Sequence, residues 1–411
     1  MRDILRSPLN HVSSFFYSFS DVFKQTPFSL LFCSLTGLLA GIGLTFMSDM
    51  LQLLPGLIIL IPPAIAMRGN VYSALVSRLG TSMHLGLFSP TLKKGSVLHT
   101  NAYASLLLTL ILSVILGFLA KLVAEAFGYS NVNYISLSGF ILISVIGGLI
   151  SGIILLGVSI VVSIIGYRRN WDLDNVSAPV ITSAGDMITI PAVFIAGILL
   201  LMLNEHISVV RLLTILCISV SLIYAVKGLK TSNADIRRVL LESIPMLLIC
   251  AVLCTFAGLT LDTMLVDLIA SPAILIMIPP FLGACNALGG ILSARLSSML
   301  HIGTLRPKTF PDKLVNANFS VIYLLSMVVF PFVGLLSYIV SSTSPGVLEM
   351  LSLSLLAGVL CTTFLNFASY YIAILSFKFG LDPDNDTIPL ITSLTDVVGV
   401  LCLLFAMTVI L

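Results

Sequence analysis

Charged residues are scarce in this chain of 411 residues, because Lys, Arg, Asp and Glu together make up only 9% of it. Hydrophobic residues make up 58%, and the mean hydropathy is +1.13. A typical soluble domain carries about 25% charged residues, so this composition excludes an ordinary soluble globular protein. The net charge of +2 identifies no partner, and we expect no nucleic-acid ligand.

Metal-ligand and targeting motifs are also lacking. Cys250 and Cys254 share a helix face, but no His or acidic residue accompanies them, which argues against a zinc site. We interpret all seven cysteines as small core residues, since each lies in an apolar run. No cleavable signal peptide is recognisable. We predict no catalytic residue, no enzyme activity and no bound cofactor.

Long apolar runs dominate what is present. Eleven of them are long enough to span a membrane. They lie at about 28–47, 51–67, 98–120, 137–165, 178–203, 209–226, 243–261, 268–287, 314–341, 348–377 and 387–411. The sequence therefore predicts an all-α polytopic membrane protein with eleven transmembrane helices, preceded by a cytoplasmic amphipathic segment at 1–27.

Basic residues test this count through the positive-inside rule. If the eleven spans alternate in direction, eighteen of the twenty Lys and Arg residues fall on the side of the N-terminus. Only Lys121 and Arg211 fall on the other side. This asymmetry predicts a multi-pass protein of the cell membrane with a cytoplasmic N-terminus and an external C-terminus.

One polar motif occurs twice, 210 residues apart. Residues 174–186 read DNVSAPVITSAGD and residues 384–396 read DNDTIPLITSLTD, with seven identical positions of thirteen. Each copy is expected to be a loop that leads into a membrane helix carrying one carboxylate. An ionisable side chain inside a membrane costs at least ~2.5–3.5 kcal/mol on insertion scales, so it is expected to face a partner or a water-filled path.

A second block repeats at a shift of 217 residues. Residues 62–86 align with 279–303, and the matches include the Pro-Pro pair, a Leu, an Arg-Leu pair, a His and the final Gly. We expect the two matched arginines, Arg78 and Arg295, to anchor at the cytoplasmic interface. At the same shift Asn101 meets Asn318 near the start of each third span.

The two repeats predict a five-plus-one-plus-five arrangement. The first five-helix repeat covers 28–205, a linker helix covers 206–228 and the second repeat covers 229–411. The sixth span restores the orientation, so both repeats run the same way and are related by a pseudo-two-fold axis along the membrane normal. The chain is then an internal pseudo-dimer, which we expect to function as a monomer.

The repeated carboxylates are the main candidates for an ion site. Thr182 lies four residues before Asp186, and Thr392 four before Asp396, so each pair shares one helix face. Hard oxygen ligands suit Mg²⁺, which is often held through its own waters by one or two carboxylates. The alternative is a protonated Asp in a helix–helix hydrogen bond.

Other positions are candidates for the ion pathway. Prolines within a span disturb the helix, and discontinuities at matched positions of two halves indicate a transport path. Gly69, Asn70 and Asn286 follow the Pro-Pro pairs, although small residues there also suit close helix packing. Asn101 and Asn318 are candidates near the cytoplasmic mouth, and Glu242 is a candidate entry ligand.

The Pro-Ala…Gly-Asn…Arg-Leu block and the Asp-Pro-Asp-Asn…Pro…Ser-x-x-Asp motif resemble those of the MgtE-type magnesium channels and the related eukaryotic solute-carrier magnesium transporters. The resemblance covers essentially the whole membrane region, and the layout is similar to the fused, two-unit members without cytosolic CBS domains. It implies that Asp186 and Asp396 bind hydrated Mg²⁺ and that Gly69 and Asn70 line the path. In the second half the block has drifted to Cys285-Asn286-Ala287.

Two other functions compete with divalent cation transport. A secondary transporter of another solute, coupled to Na⁺ or H⁺, would also use two membrane aspartates. An intramembrane aspartyl protease needs two dissimilar motifs, Tyr-Asp and Gly-x-Gly-Asp, together with Pro-Ala-Leu. Here both aspartates lie in copies of one motif and Pro-Ala-Leu is absent, which disfavours the protease.

Overall fold

The computed structural model describes residues 20–127, 134–169, 173–203, 206–301, 303–307, 310–341, 345–378 and 383–411. These residues form thirteen α-helices and no strands. The helices are α1 (Ser20–Phe46), α2 (Ser48–Leu53), α3 (Leu57–His84), α4 (Val97–Ala126), α5 (Leu137–Arg169), α6 (Leu173–Leu203), α7 (Ile207–Leu229), α8 (Ala234–Thr263), α9 (Leu265–Ala270), α10 (Pro272–His301), α11 (Lys313–Ser341), α12 (Val347–Lys378) and α13 (Pro383–Ile410). Most of the segment 1–27, for which an amphipathic helix was expected, lies outside the described residues.

Within the described ranges, eleven helices are long and apolar enough to cross a membrane. The other two, α2 and α9, have six residues each and connect long helices. Large side chains such as Leu212, Leu222 and Val328 are exposed, as suits helices that face lipid. The predicted all-α polytopic fold is confirmed.

Two helices extend further than the apolar runs indicated. The spans expected at 51–67 and 268–287 are α3 and α10, which continue to His84 and His301. The expected ends were wrong because both helices continue through a less apolar stretch that contains an arginine, Arg78 in α3 and Arg295 in α10. Each helix instead stops two residues before a glycine with positive φ, Gly86 (69°) and Gly303 (78°), which is a common way for helices to end.

The repeated polar motif is helical from its start. The expectation of a loop before each Asp was wrong, because α6 begins at Leu173 and α13 at Pro383. Proline is tolerated in the first turn of a helix, where its missing N–H has no intrahelical partner. Pro389 lies further inside α13 and does not end it.

Both Pro-Pro pairs lie inside helices, at Pro62 and Pro63 in α3 and at Pro279 and Pro280 in α10. A proline has no N–H for the carbonyl four residues before it. The second proline of each pair therefore frees the carbonyls of Ile59 and Ile276. Each freed carbonyl needs a neighbour, because lipid offers no hydrogen-bond donor.

Glycines from other helices pack onto these freed carbonyls. A Cβ added to Gly258 of α8 would overlap the carbonyl of Ile59, and one added to Gly41 of α1 would overlap that of Ile276. A Cα hydrogen of each glycine therefore points at the oxygen, which is the geometry of a weak Cα–H···O contact. The two glycine–carbonyl pairs are separated by the same shift of 217 residues.

These contacts connect helices that are far apart in the chain. Helix α1 packs closely on α10, and α8 packs closely on α3. The helices with the repeated aspartates pack on the proline-bearing helices of their own part of the chain, α6 on α3 and α13 on α10. Six helices, α1, α3, α6, α8, α10 and α13, thus surround the centre of the molecule.

Candidate ion-binding site

The repeated aspartates and asparagines lie halfway along their helices. Asp186 and Asp396 are each the fourteenth residue of α6 and α13, and Asn70 and Asn286 are the fourteenth and fifteenth residues of α3 and α10. At a rise of about 1.5 Å per residue, each lies about 20 Å from the start of its helix. All four therefore lie inside candidate membrane spans.

A cavity of about 310 Å³ connects these side chains. Its polar lining residues are Ser29, Cys33, Asn70, Thr182, Ser183, Asp186, Asn286, Thr392 and Asp396. Most of the remaining lining is aliphatic, with small positions at Gly69, Gly283 and Gly290. At roughly 10–15 Å³ of cavity volume per water, the cavity has the volume for a shell of six waters.

Asp396 is buried, with 6% of its surface exposed, and two side chains donate to it. Nδ2 of Asn286 donates to Oδ1 at 2.8 Å, and Sγ of Cys254 donates to Oδ2 at 3.5 Å. The donors come from α10 and α8. The orientation of this carboxylate is therefore held by two other helices.

Asp186 has different surroundings. It is partly exposed to the cavity, and no donor to its carboxylate is found among the described residues. Its Oδ2 lies 3.7 Å from the point where a Cβ on Gly283 of α10 would be. Gly283 and Asn286 are three residues apart on one face of α10, so both carboxylates approach the same helix face.

The two threonines line the same cavity. Thr392 donates its hydroxyl to the carbonyl of Pro389 at 3.0 Å, which leaves the oxygen lone pairs as acceptors. The methyl carbon of Thr182 packs 3.6 Å from the Cβ position of Gly69, where α3 and α6 approach closely. The structure therefore brings together Asp186, Asp396, Thr182, Thr392, Gly69, Asn70 and Asn286.

Asn101 and Asn318 are not among the residues that line the cavity. Their Oδ1 atoms accept hydrogen bonds from Nε of Arg78 and Arg295, at 2.9 and 2.8 Å respectively. Their Nδ2 atoms donate to the carbonyls of Val97 and Leu314, each four residues earlier in its own helix. The same bonding pattern thus joins α3 to α4 and α10 to α11.

Glu242 also lies away from the cavity lining. It is exposed on α8, and its Oε1 pairs with Nε of Arg238 one turn earlier at 2.7 Å. Pairs of this kind at a surface contribute little to stability.

Two polar residues near the site were not identified from sequence. Cys254 was interpreted as a core residue, and it is fully buried, but it also donates to Asp396. Arg68 was counted among the loop charges, yet it lies inside α3 with 1% of its surface exposed. Its Nη2 donates to Ser113 at 2.9 Å, whereas Nε and Nη1 have no partner among the described residues.

The side chains that line the cavity suit a hydrated ion better than a dehydrated one. Among the described residues, no group of three or more His, Cys, Asp and Glu side chains is placed to hold a metal directly. Two carboxylates and a few hydroxyls and amides can instead accept hydrogen bonds from the waters of an octahedral Mg²⁺. Fold and site together define a multi-pass helical membrane protein with paired carboxylates in a central cavity.

The family of such a protein is shown by sequence comparison. A family model described as "Divalent cation transporter", MgtE, matches residues 61–196 and 278–406, more than half of the chain. The chain belongs to the MgtE family, which confirms the resemblance seen in the sequence. Each matched region contains one Pro-Pro block, one matched asparagine and one repeated Asp. The family consists of transporters rather than enzymes.

Several solute carriers are similar over most of this chain. Solute carrier family 41 member 2 of Xenopus laevis is 26% identical over 85% of this chain and 65% of its own length. The Homo sapiens protein of the same name is 24% identical over 83% of this chain and 62% of its own length. Solute carrier family 41 member 3 of Mus musculus is 24% identical over 88% and 78%. The chain thus spans less than two thirds of the length of the two member 2 proteins.

One solved structure, the crystal structure of MATE in complex with Br-NRF, aligns with 93% of this chain and 95% of its own. The TM-score is 0.32 and the identity 13%, which is too weak a likeness to carry an argument.

Proposed function

We propose that this chain transports Mg²⁺ across a membrane through the central cavity, and that Asp186 and Asp396 together bind the hydrated ion. The observation that carries the proposal is the presence of both carboxylates in one cavity of about 310 Å³ at mid-helix. Two negative charges at this depth match one dication without leaving a large uncompensated charge in low dielectric. The family, matched over both Asp-bearing regions, consists of divalent cation transporters.

The arrangement of the path follows from a two-repeat organisation. We take 28–205 and 229–411 as the repeats, 206–228 as the linker helix, and a pseudo-two-fold axis through the cavity. The matched glycine–carbonyl contacts and the matched Arg–Asn bonds support this organisation. A single chain then contains both carboxylates, so a monomer suffices for transport.

Transport into the cell requires no coupling. An inside-negative potential of 100 mV favours entry of a divalent ion by about 4.6 kcal/mol, twice the ~2.3 kcal/mol per unit charge. Coupling to Na⁺ is the competing mechanism for the same site. In both cases the ion passes between carboxylates that form no ion pair among the described residues.

Purified protein in liposomes tests the proposal. Mg²⁺ influx, followed with an entrapped magnesium dye, is expected to respond to an imposed membrane potential. Flux that instead requires an opposing Na⁺ gradient identifies an exchanger. Absence of Mg²⁺ flux under both conditions contradicts the proposal.

The direction of the chain in the membrane is a separate part of the proposal. The distribution of the basic residues, seventeen to two without the buried Arg68, supports an N-terminus inside the cell and residue 411 outside. Arg306 and Leu411 are both exposed, so a cysteine at either position is open to labelling. An impermeant thiol reagent added to intact cells should label the 411 variant and spare the 306 variant. The reverse pattern would require inversion of the topology.

A further inference from the structure

The two carboxylates of the site differ in how they are held. Asp396 accepts hydrogen bonds on both oxygens, from Asn286 at 2.8 Å and from Cys254 at 3.5 Å. Asp186 is more exposed and accepts none from the described residues. A carboxylate fixed by donors from two helices cannot turn without breaking both bonds. A carboxylate without donors can change its side-chain rotamer.

The difference is built into the sequence. At the shift of 217 residues, the counterparts of Asn286 and Cys254 are Gly69 and Gly37. Neither glycine has a side chain with which to donate to Asp186. Asn70, one position after Gly69, leaves its Nδ2 without a partner among the described residues.

Packing prevents the first half from acquiring the missing thiol. A Cβ at Gly37 would lie 2.6 Å from Cα and 2.9 Å from N of Pro280. These are backbone atoms of the neighbouring helix, which cannot move aside as a flexible side chain would. The close contact of α1 with α10 therefore excludes a cysteine at this position.

The Asp186 side chain has room to move on the side that faces α10 and the cavity. Gly283 has no Cβ, and the point where one would be lies 3.7 Å from Oδ2 of Asp186. The cavity lies beside this carboxylate and is bounded there by Gly283, Asn286 and Asn70. Oδ1 of Asn286 is buried and has no partner among the described residues.

We propose that Cys254 and Asn286 are positioning residues that fix Asp396 as the stationary half of the ion site, and that Asp186 is the carboxylate that turns toward the ion on binding and away on release. This inference rests on the proposed function and adds a division of roles between the two aspartates. A stationary carboxylate sets the place of the hydrated ion. A movable one lets the ion leave again, which transport requires.

Lengthening each carboxylate by one methylene tests the division. Asp396→Glu moves the carboxylate out of its two hydrogen bonds, and a shift of this size is expected to lower Mg²⁺ flux by more than about tenfold. Asp186→Glu extends a side chain that accepts no hydrogen bond from the described residues, and flux is expected to fall by only about threefold. Equal losses in the two variants overturn the proposal.

Substitution of the thiol gives an independent test. Loss of one hydrogen bond in Cys254→Ala is expected to raise the KM for Mg²⁺ about threefold with little change in maximal flux. Cys254→Ser keeps a donor and should restore the KM. Cys217→Ala on the peripheral helix α7 is the matched control and should behave as the native protein. An unaltered KM in Cys254→Ala, or a serine variant as impaired as the alanine variant, contradicts the positioning role.

Two further measurements separate the possible failures. Thermal unfolding of each purified variant corrects flux for the folded fraction, since a structural defect lowers maximal flux rather than raising KM. Asp186→Asn and Asp396→Asn test the site itself. If both Asn variants transport normally, the proposed function fails. If both are inactive while the two Glu variants are equally impaired, only the division of roles fails.

Discussion

Nδ2 of Asn286 donates a hydrogen bond of 2.8 Å to Oδ1 of Asp396. This bond joins α10, which carries the second Pro-Pro block, to α13, which carries the second copy of the Asp motif. The Pro-Pro block and the Asp motif of the second half, which are separate along the chain, thus meet at one point in the cavity. The part of α10 just after its prolines therefore provides one wall of the site.

Removal of either negative charge is expected to impair transport. Asp186→Asn or Asp396→Asn keeps the shape of the side chain but weakens its hydrogen bonds to the ion's waters, which are worth about 1.5–3 kcal/mol when charged. Flux should fall about tenfold or more in each single variant.

The double variant should lose little more, because in the proposed site both residues bind one ion. Mg²⁺ flux into liposomes, normalised to folded protein, measures all three variants. Additive losses would indicate two separate sites, and normal flux in either single variant would exclude a joint site.

The close packing of α1 on α10 and of α8 on α3 depends on two glycines. Gly41→Ala and Gly258→Ala each place a methyl group against the backbone of a proline-bearing helix. Such overpacking typically costs about 1–3 kcal/mol, so both variants should unfold at lower temperature. Gly157→Ala on α5 is the control, because nothing lies within 4 Å of its Cβ position. Equal stability of all three variants would show that the two close contacts do not matter.

Much of the fold could be predicted from the sequence, because a membrane restricts the backbone structures that can span it. Apolar runs revealed the eleven spanning helices, since the bilayer leaves helices as the main solution for the backbone. Duplication of one motif singled out Asp186 and Asp396, and both line the same cavity.

The unequal surroundings of the two aspartates could not be predicted. Cys254, which donates to Asp396, lies 142 positions earlier in the chain, and no local sequence pattern marks such a partner. Arg68 was misplaced for a related reason, since a charge after an apolar run normally marks a helix end at the interface. Here the arginine is accommodated by Ser113 and by the space over Gly148, which only packing shows.

Asn101 and Asn318 are expected to stabilise the protein. Replacement of either by Leu removes the acceptor for Arg78 or Arg295 and leaves a partly buried guanidinium nitrogen without its bond. The loss is expected to be about 1–3 kcal/mol and to lower the unfolding temperature in both variants. Flux per folded protein decides whether they also belong to the ion pathway. A loss of flux beyond the loss of folded protein supports that role, whereas unchanged flux assigns them to helix pairing alone.

Arg68 and Gly148 are expected to be energetically coupled. A Cβ at position 148 would overlap Nη2 of Arg68 and Oγ of Ser113, so Gly148→Ala should break the hydrogen bond between the guanidinium and Ser113. A buried charge left without a partner is costly, and the variant should lose more than the ~1–3 kcal/mol of an ordinary buried polar group. Gly157→Ala on the same helix again serves as the control.

A second substitution can identify the cause of the stability loss expected in Gly148→Ala. We expect this loss to arise from the displaced charge of Arg68 rather than from the added methyl group. Arg68→Met removes a buried cation that has no carboxylate partner among the described residues, and this change alone should be neutral or stabilising. In Arg68→Met/Gly148→Ala no guanidinium remains to be displaced, so the double variant should unfold at a higher temperature than Gly148→Ala. A double-mutant cycle of thermal unfolding measures the coupling between the two positions. If the two effects are additive, the space over Gly148 serves the packing of α5 and not the accommodation of the buried arginine.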